Sequence, residues 1–545
     1  MNKKIELLDC TLRDGAYIVE SRFGVPAIKG IIKKMQDANV DIIECGWLKN
    51  DPHREGSSFY HVPGDLKPYL IEKNKRSIYT VMIDWDRYNL DFLPPCDGET
   101  VDAIRIVFPH GKYKEGIAVG NAVKEKGYQV FYQAANTLAY SEEDLRELAR
   151  EINQVYPAGL SVVDTFGAMY EEDLERIADI LDEELDDGIR LGFHSHNNQQ
   201  LSFALTIRFV KIFQDRKRGI IVDASLNGMG RGAGNAPTEL IVNYLNQNGS
   251  GYEMDAVMDA IDIYMEYFKE NYKWGYSTPY FIAGMYCCHV NNIAYLLKNH
   301  RTSAKDMRNI IESMSPEDRR KYDYDLLEEK YIENQDKIVD DEETIRYLKE
   351  AFRGRTILLI APGKSVIEQQ ERIREYIRTE KPLVIAVNAL LREYKYDYMF
   401  VANSARYDYA RESRQEQFGD TKKIILSNIK TRPDENEYIV SFNRAIKRGW
   451  EHFDNAVICC LRLLDKLEVE HAVIAGFDGF KTKYNESYAD ASLPAINPGK
   501  QWDELNEEIK SMFADVKQTA KVLHRIEVLT ESYFTDDIVG GKKDA

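Results

Sequence analysis

Apolar and polar positions alternate in two rhythms along roughly the first 230 residues of the chain. Short apolar segments of strand length are separated by longer stretches, such as 25–39 and 142–154, in which apolar residues recur at helical spacing. Eight strands with helical patterns between most of them match the size of a (β/α)8 barrel. A doubly wound sheet is the alternative, but it rarely needs eight strands. The predicted strands cover residues 5–8, 42–44, 79–83, 103–107, 129–132, 160–163, 191–194 and 220–223.

Polar side chains gather where these predicted strands end. In a (β/α)8 barrel the carboxyl ends of the strands form the face that carries the active site. Residues that are far apart in sequence meet on that face if the barrel forms. The residues at or just beyond the strand ends are Asp9, Arg13, Asp14, Glu44, Asp164, His194 and His196.

Two of these side chains, His194 and His196, have the spacing of metal ligands on a strand. Residues at i and i+2 of a strand point to the same side, so both imidazoles can reach one ion. Asp14, from the other side of the barrel mouth, would supply an oxygen ligand and leave coordination positions open. Such mixed ligands suit Mn²⁺, Mg²⁺, Co²⁺ or Fe²⁺, and Zn²⁺ is less favoured without a thiolate. An isolated His-x-His pair is more often a chance occurrence, so the surrounding residues carry the argument.

Arg13 precedes Asp14 directly and supplies a positive charge beside the predicted ion. A guanidinium and a metal ion that share a substrate carbonyl oxygen both stabilise the charge that develops in an enolate. Glu44 can hold Arg13 through a bidentate pair, although that pair taken alone is better explained as a structural salt bridge. Together with the metal ligands, the arginine indicates chemistry through an enolate.

Several separated segments resemble one family. Residues 9–15 (DCTLRDG) resemble the DTTLRDG signature of the DRE-TIM metallolyases, and residues 192–198 (GFHSHNN) resemble their metal-binding strand. Residues 223–237 are similar to the last-strand loop of the 4-hydroxy-2-oxovalerate aldolase subgroup, and residues 280–334 to its C-terminal extension. The resemblance covers about the first 335 residues and implies a TIM barrel with a helical extension.

The resemblance assigns metal ligands and catalytic residues to this chain. Three ligands follow the family's metal site, and an asparagine that helps at the metal in the lyase branch has a counterpart in the last-strand loop. The carbonyl-polarising arginine and the glutamate of the family's name have counterparts as well. The implied site comprises Asp14, His194, His196 and Asn235 at the metal, and Arg13, Tyr17, Glu44 and Tyr286 as catalytic residues.

The two tyrosines of this set depart from a simple match. The aldolases carry a histidine base three residues after the metal aspartate, and this chain has Tyr17 there. A phenol, with an ordinary pKa of about 10, is a poor base unless the metal or Arg13 lowers that pKa. Either Tyr17 transfers a proton with a shifted pKa, or a metal-bound water does so, or the substrate differs. Tyr286 matches an aldolase tyrosine that faces the active site, and a core aromatic is the alternative.

Two loops at the predicted barrel mouth are candidates for substrate contact. The glycine-rich loop 228–234 follows the last strand, and its N–H groups are suited to a carboxylate or a phosphate. A tight turn at the barrel rim is the alternative. Residues 164–167, at the end of the sixth strand, are expected to contact substrate.

A charged helical stretch and then a second strand pattern follow the barrel. We predict a barrel domain over 1–280, a helical extension or linker over 281–350, and a Rossmann-like open-sheet α/β domain over 351–545. The strands predicted for the last domain cover residues 356–360, 383–387, 398–401, 423–427 and 472–475.

The second domain has weaker motifs. Residues 363–365 (GKS) match the end of a Walker motif, but Leu358 stands where its first glycine belongs, which disfavours a P-loop ATPase. A strand–turn–helix at that point still makes a plausible phosphate site. Asn388, Asn403 and Ser404 follow predicted strands, where open sheets bind ligands. The layout resembles Rossmann-like domains of bacterial sialyltransferase-like and surface-polysaccharide proteins, which implies a nucleotide or nucleotide-sugar ligand. A structural or oligomerising domain without a ligand is the alternative.

Composition narrows the partners. A net charge of −18 disfavours nucleic acids and anionic membranes. No apolar segment reaches the roughly 18 residues of a membrane span, and no apolar signal region precedes the first strand, so we expect a cytoplasmic protein. Seven cysteines without a framework spacing are expected to be reduced thiols.

The predicted function is that of a divalent-metal-dependent class II aldolase or lyase. It makes or cleaves a carbon–carbon bond through the enolate of a 2-oxo acid such as pyruvate, with an aldehyde as second substrate and Mn²⁺ as the favoured ion. Synthesis of an unusual sugar or surface polysaccharide would fit both halves, and we also expect a homo-oligomer. The alternatives are a Claisen-type acyl-CoA condensing enzyme or lyase, and a degenerate barrel that carries a glycosyltransferase-like nucleotide-binding domain. A further alternative makes the helical extension a docking surface for a partner dehydrogenase.

Overall fold

The chain divides into two compact units. The structure, a computed structural model, describes residues 4–300, 302–335, 339–429, 436–481, 487–494 and 500–535. The first unit comprises Met1–Val290 with Arg319–Lys321, and the second comprises Asn291–Asp318 with Tyr322–Ala545. The stretch 281–350, predicted as a separate extension, falls partly in each unit.

The first unit contains a closed barrel of parallel strands, which confirms the predicted TIM-barrel fold. Its strands are β1 (Ile5–Asp9), β2 (Ile42–Leu48), β3 (Phe59–Tyr60), β4 (Ile78–Asp84), β5 (Ala103–Phe108), β6 (Gln129–Ala134), β7 (Gly159–Asp164), β8 (Arg190–Ser195) and β9 (Ile220–Ala224). The order is β1-β9-β8-β7-β6-β5-β4-β2-β3, and an additional pairing of β1 with β2 closes the ring. The two-residue strand β3 pairs only with β2, so eight strands form the barrel itself.

Helices follow most of the barrel strands, and the helical segments between β2 and β4 and between β4 and β5 are 3₁₀ only. Up to residue 285 the α-helices are α1 (Thr11–Asp14), α2 (Val25–Asp37), α3 (Tyr113–Glu125), α4 (Glu142–Val155), α5 (Glu171–Glu184), α6 (Ser202–Ile212), α7 (Thr238–Gln247), α8 (Met254–Ala260), α9 (Glu266–Asn271) and α10 (Thr278–Met285). Helix α4 is representative: Ser141 and Asp144 form a capping box at its start, and Leu145, Leu148 and Ile152 are buried along one stripe. Helices cover the outer face of the barrel, and side chains fill its interior. Every residue of β2, β7 and β9 is therefore buried.

The second unit is built on an open sheet of parallel strands, as predicted for an α/β domain. Its strands are β10 (Ile357–Ile360), β11 (Leu383–Val387), β12 (Tyr398–Val401), β13 (Lys422–Leu426), β14 (Glu437–Val440), β15 (His471–Ala475) and β16 (Arg525–Val528). The order is β14-β13-β12-β11-β10-β15-β16, so the order in which strands are added reverses at β10. A reversal of this kind leaves a crevice beyond the carboxyl ends of the central strands.

The remaining helices begin at residue 290. They are α11 (Val290–Asn299), α12 (Ala304–Ser313), α13 (Pro316–Arg320), α14 (Tyr324–Gln335), α15 (Glu342–Phe352), α16 (Ser365–Glu368), α17 (Gln370–Glu380), α18 (Ser404–Ser413), α19 (Gln415–Asp420), α20 (Phe442–Ala445), α21 (Ala456–Lys466) and α22 (Trp502–Thr519). Among the described residues, no helix combines the length and the apolar content that crossing a membrane requires. All seven cysteines lie in the described chain, and none of them is in a disulfide there.

Candidate metal centre

Asp9 shapes the turn that leads from the first strand to the site. Its carboxylate accepts hydrogen bonds from the backbone N–H of Thr11 at 3.1 Å, the Thr11 hydroxyl at 3.0 Å and the Thr238 hydroxyl at 2.8 Å. Burial raises the pKa of Asp9 to about 6, against the opposing effect of these hydrogen bonds. The residue therefore ties the end of β1 to the start of α7, and the short helix α1 that follows carries Arg13 and Asp14.

The structure brings Asp14, His194 and His196 together. One ligand atom from each lies within 4.8 Å of the others, and all three side chains are buried. His194 is on β8 and His196 follows that strand directly, and their rings are 5.1 Å apart at 89°. The spacing predicted from the strand periodicity thus places both imidazoles beside the carboxylate of Asp14.

The protonation states of this cluster suit metal ligation. Burial lowers the pKa of His196 to about 3, so its imidazole is neutral at physiological pH. For Asp14, burial opposes ionisation, but the guanidinium groups of Arg13 and Arg231 hold the pKa of the carboxyl well below its usual range. A carboxylate and neutral imidazoles are the forms of these residues that bind a divalent cation.

Arg13 is fixed on two sides. Its Nε donates to Glu44 Oε2 at 2.7 Å, and its Nη1 donates to Asp14 Oδ1 at 2.8 Å. The side chain is 4% exposed, and its backbone carbonyl accepts a hydrogen bond from the Trp47 indole at 3.1 Å. Its Nη2 group makes no hydrogen bond to a described residue. The guanidinium is therefore held next to the ligand cluster with donors left for a substrate oxygen.

Arg105 is a member of the site that sequence reasoning missed. It is fully buried on β5 and donates to Glu44 Oε2 at 2.9 Å, to Gln133 Oε1 at 2.7 Å and to Asp223 Oδ2 at 2.5 Å. Asp223 Oδ2 in turn lies 3.1 Å from His194 Nδ1. Burial opposes the charge on Asp223, but Arg105 and His194 lower the pKa of its carboxyl below the usual value. The one sign of Arg105 in the sequence is that it is a single charged residue within the otherwise apolar strand β5.

Asn235 reaches the cluster from the loop after β9. Its Nδ2 donates to Asp14 Oδ2 at 2.7 Å and to the Met229 carbonyl at 3.2 Å, while its Oδ1 is buried without a hydrogen-bond partner among the described residues. His196 Nδ1 is equally buried and without a hydrogen bond. A Cβ atom at Gly230 would lie 2.5 Å from Asp14 Oδ2 and 2.4 Å from Asn235 Nδ2, so only glycine leaves room there. Unpaired buried polar atoms around such a space fit a bound divalent cation.

In the glycine-rich loop 228–234, several backbone N–H groups already donate hydrogen bonds to the loop itself or to its neighbours. The N–H of Gly228 donates to the Ser225 carbonyl at 2.9 Å, and the N–H of Gly234 donates to the Arg231 carbonyl at 3.0 Å. The N–H of Ala233 donates to Asn198 Oδ1 at 2.9 Å. These contacts favour the tight rim turn, which positions Asn235, over an anion cradle.

The two predicted tyrosines have different positions. Tyr17 lies three residues beyond Asp14, its ring contacts Trp47 edge-on at 5.9 Å, and the Arg231 guanidinium lies 4.2 Å from its centre. The residue as a whole is 38% exposed, but burial around its hydroxyl raises the pKa of Tyr17, an effect that Arg231 only partly offsets, so the phenol is neutral at pH 7. Tyr286 ends α10 with its ring 5.1 Å from the Arg319 guanidinium, and it makes no hydrogen bond to the ligand cluster within the described chain.

The fold and the cluster define a class of protein. This is a (β/α)8 barrel with a candidate divalent-metal centre, built from a carboxylate and two imidazoles, at the carboxyl ends of its strands. Residues 113–265 match the HMGL-like family model. The chain carries an HMGL-like domain, which confirms the family resemblance of its N-terminal motifs.

Similar proteins cover the barrel part of the chain. A 4-hydroxy-2-oxovalerate aldolase of Thermomicrobium roseum is 28% identical over 47% of this chain and 70% of the relative. An aldolase of the same name from Moorella thermoacetica is 25% identical over 57% and 90%, respectively. An oxaloacetate decarboxylase of Mycobacterium tuberculosis is 24% identical over 47% and 74%. These names describe enzymes that make or break carbon–carbon bonds.

Among solved structures, the N-terminal domain of a candidate aldolase from Bacteroides vulgatus is similar to this chain. It is 25% identical, with a TM-score of 0.46, over 53% of this chain and 95% of that one. The carboxyl transferase domain of Rhizobium etli pyruvate carboxylase is 14% identical, with a TM-score of 0.46, over 64% of this chain and 65% of that one.

Proposed function

We propose that the first unit is a divalent-metal-dependent aldolase or lyase that acts on a pyruvate-type 2-oxo acid through its enolate. An aldehyde is the second substrate or product. The observation that carries this proposal is the convergence of Asp14, His194 and His196 beside the fixed guanidinium of Arg13. The names of the similar proteins support it, since 4-hydroxy-2-oxovalerate and oxaloacetate are both 2-oxo acids. They give no support for a role in polysaccharide synthesis.

Each residue of the site would have a distinct role in holding the ion. Asp14 would contribute a carboxylate oxygen, His194 and His196 would contribute imidazole nitrogens, and Asn235 would orient Asp14 through its amide. We favour Mn²⁺ over Mg²⁺, Co²⁺ and Zn²⁺ because the donors are mixed nitrogen and oxygen without a thiolate. When bound, such an ion acts as a Lewis acid on the keto group of the substrate.

Arg13 supplies the protein's own stabilisation of the enolate. Its donors are held in place before substrate arrives, because Glu44 and Asp14 each accept one hydrogen bond from the guanidinium. A positioned cation of this kind stabilises an oxygen more strongly as negative charge develops on it. Burial strengthens the effect, because little water is present to screen the charge.

Tyr17 is the candidate proton donor. Its raised pKa keeps the phenol protonated near pH 7, so it is equipped to give a proton to an enolate carbon or an aldol alkoxide. In exchange of the pyruvate methyl protons the same group acts in both directions, because the phenolate left by that donation takes the next proton from the methyl carbon.

Exchange of the methyl protons of pyruvate for deuterium tests the metal centre. With added Mn²⁺, the wild-type protein should catalyse exchange, and His194→Ala should bind less metal and lose exchange by more than about hundredfold. The matched control is His110→Ala, because His110 is a half-exposed histidine of the same unit. Exchange that persists in His194→Ala with no bound metal would eliminate the proposal.

Tyr17→Phe separates proton transfer from metal binding. The substitution removes only the hydroxyl, so bound Mn²⁺ should stay at the wild-type level while exchange falls by about 10²-fold or more, the usual contribution of a general acid or base. Metal content and exchange are measured on the same sample. Wild-type exchange in this variant would leave Tyr17 without a catalytic role.

A further inference from the structure

The second unit contains a cleft that the barrel chemistry does not use. It lies beyond the carboxyl ends of β10, β11 and β15, and Gly363, Asn388 and Gly476 line it there. The strand order reverses at β10, and open parallel sheets bind ligands at such a point. The position of the cleft therefore suits a ligand.

Three asparagine side chains present donors to this cleft. In each of Asn388, Asn403 and Asn455 the Oδ1 atom accepts a backbone N–H, at 2.8, 3.1 and 3.0 Å respectively. These bonds fix the orientation of the amides, because Nδ2 could not accept from an N–H. Among the described residues, none of the three Nδ2 groups has a hydrogen-bond partner. The cleft thus offers a set of oriented N–H donors and requires a ligand rich in acceptors.

Arg406 adds a positive charge to the same wall. The residue is 5% exposed and lines the cleft, and its Nη1 is buried without a hydrogen-bond partner. Within the described chain its guanidinium makes no ion pair or hydrogen bond, and its one ring contact is with Tyr488 at 4.7 Å. A buried cation is costly unless it is paired. An anionic group of a ligand would supply the missing partner.

The carboxylate in the cleft is already engaged. Asp478 is the acidic residue among the lining side chains, and it accepts hydrogen bonds from the Ser365 N–H at 2.8 Å and from the Ser365 hydroxyl. It occupies the start of the four-residue helix α16, where the sequence suggested a phosphate site. The anionic group of a ligand is therefore expected beside Arg406 and not beside the turn at Gly363, where the carboxylate of Asp478 would repel it.

Aromatic rings form the apolar part of the cleft. Phe477, Phe480 and Phe534 line it, and the rings of Phe477 and Phe534 pack at 4.3 Å. Apolar and aromatic walls with a few placed polar groups are typical of sites for flat organic ligands. The combination of rings with a guanidinium and amide donors indicates a ligand that carries both a planar group and an anion.

We propose that this cleft binds a nucleotide, with a phosphate on Arg406 and the asparagine donors and the base against the phenylalanine rings. Arginine is suited to phosphate because its planar fork donates two parallel hydrogen bonds. The site lies wholly within the second unit. It goes beyond the aldolase or lyase reaction and does not depend on it.

Calorimetric titration of the full-length protein tests the proposal. The probes are CMP, UMP, AMP, GMP, UDP and GDP, with inorganic phosphate and the matching nucleosides as separate arms. At least one nucleotide should bind, and phosphate alone and nucleoside alone should each bind at least about tenfold more weakly, because each fills one part of the site. Failure of every nucleotide to bind, or equal affinity for inorganic phosphate, would overturn the proposal.

Two variants identify the residues responsible. Arg406→Gln should weaken the nucleotide by at least about tenfold, Arg406→Lys should restore part of the loss, and the matched control Arg411→Gln should have no effect. Arg411 lies on the same helix, is 45% exposed and pairs with Asp408. Asn388→Asp keeps the acceptor for the backbone N–H but replaces a donor by a negative charge, so it should also weaken binding about tenfold. Unchanged affinity in either folded variant contradicts the assignment.

Discussion

At the scale of single residues, Arg105 connects the two halves of the metal centre. It bonds Glu44, which holds Arg13, and it bonds Asp223, which lies beside His194. All of these side chains are buried. A network of this kind is stable only when every charge keeps its partner, because the loss of one member leaves the others uncompensated in a medium of low polarity.

Arg105→Gln should therefore affect both stability and metal binding. Among the side chains that the structure describes, removing the guanidinium leaves Asp223 without a charged hydrogen-bond donor and Glu44 with Arg13 as its one remaining cation, which should cost about 3–5 kcal/mol of unfolding free energy. Because Asp223 Oδ2 lies 3.1 Å from His194 Nδ1, a shift of Asp223 should disturb this ligand, and we expect metal affinity to fall by about 10- to 100-fold. Urea unfolding and Mn²⁺ titration measure the two effects.

The control for this substitution is Arg146→Gln, since Arg146 pairs with Glu184 at the surface with 31% of its side chain exposed. A pair of that kind contributes about 1 kcal/mol or less. If the two variants were equally stable and bound metal equally well, Arg105 would have no part in supporting the site.

The sequence predicted some of these residues and not others for a physical reason. Asp14, His194 and His196 could be found because strand periodicity and a contiguous motif mark them. Arg105 could not, because a charge within the apolar sequence of β5 gains its meaning only when Glu44 and Asp223 approach from other strands. Tyr286 stays a prediction, because its contact with Arg319 neither gives it a role in the site nor excludes one.

At the scale of elements, the loop after β9 determines where Asn235 lies. Gly234 has φ +83°, in the left-handed region, and its carbonyl accepts the N–H of Asn197 at 2.7 Å. A Cβ atom there would lie 2.0 Å from the backbone oxygen of Gly228. The loop therefore needs glycine both for its backbone conformation and for the close approach of its two ends.

Gly234→Ala should displace Asn235 and weaken Mn²⁺ binding by at least about tenfold, because second-layer contacts of a ligand are worth that much. Gly249→Ala is the matched control, since Gly249 has a similar φ of +90° but nothing within 4 Å of the added methyl. It should cost about 1–2 kcal/mol of stability through backbone strain and leave the metal affinity unchanged. Equal metal binding by the two variants would show that the loop does not position Asn235.

The two strands of the second unit that the sequence did not predict, β14 and β16, are the edge strands of its sheet. Strands β14 and β16 have four residues each and one fully buried position each, so neither produces an apolar run in the sequence. The central strands β10 to β13 and β15 are buried over most of their length and were predicted within about one residue. Edge strands are only half covered, and their pairing is recognisable only once the neighbouring strand is in place.

At the scale of the whole molecule, the two candidate sites belong to different compact units with separate hydrophobic cores. The chain carries a net charge of −18, yet both proposed ligands are anions. Each site contains a buried arginine that supplies a local positive charge, Arg13 in the barrel and Arg406 in the cleft. Local positive charge, rather than the charge of the molecule, therefore decides which small molecules bind.

The two functions should accordingly be separable in the intact chain. His194→Ala should abolish pyruvate exchange and bind the nucleotide with wild-type affinity, and Arg406→Gln should do the reverse. Exchange and titration on the same two proteins measure this. Loss of nucleotide binding in His194→Ala, or of exchange in Arg406→Gln, would show that the sites are coupled, and would imply that ligand at one changes the state of the other.

The pairing of β1 with β9 has a consequence for how the protein matures. Asp14 is made early in synthesis, whereas both imidazoles and Asn235 emerge about 180 to 220 residues later. Closing so long a segment costs entropy that is recovered only when the last strand docks against the first. The ion therefore has no complete set of ligands until the last barrel strand and the loop after it have been made, and its binding should stabilise the finished barrel rather than guide its formation.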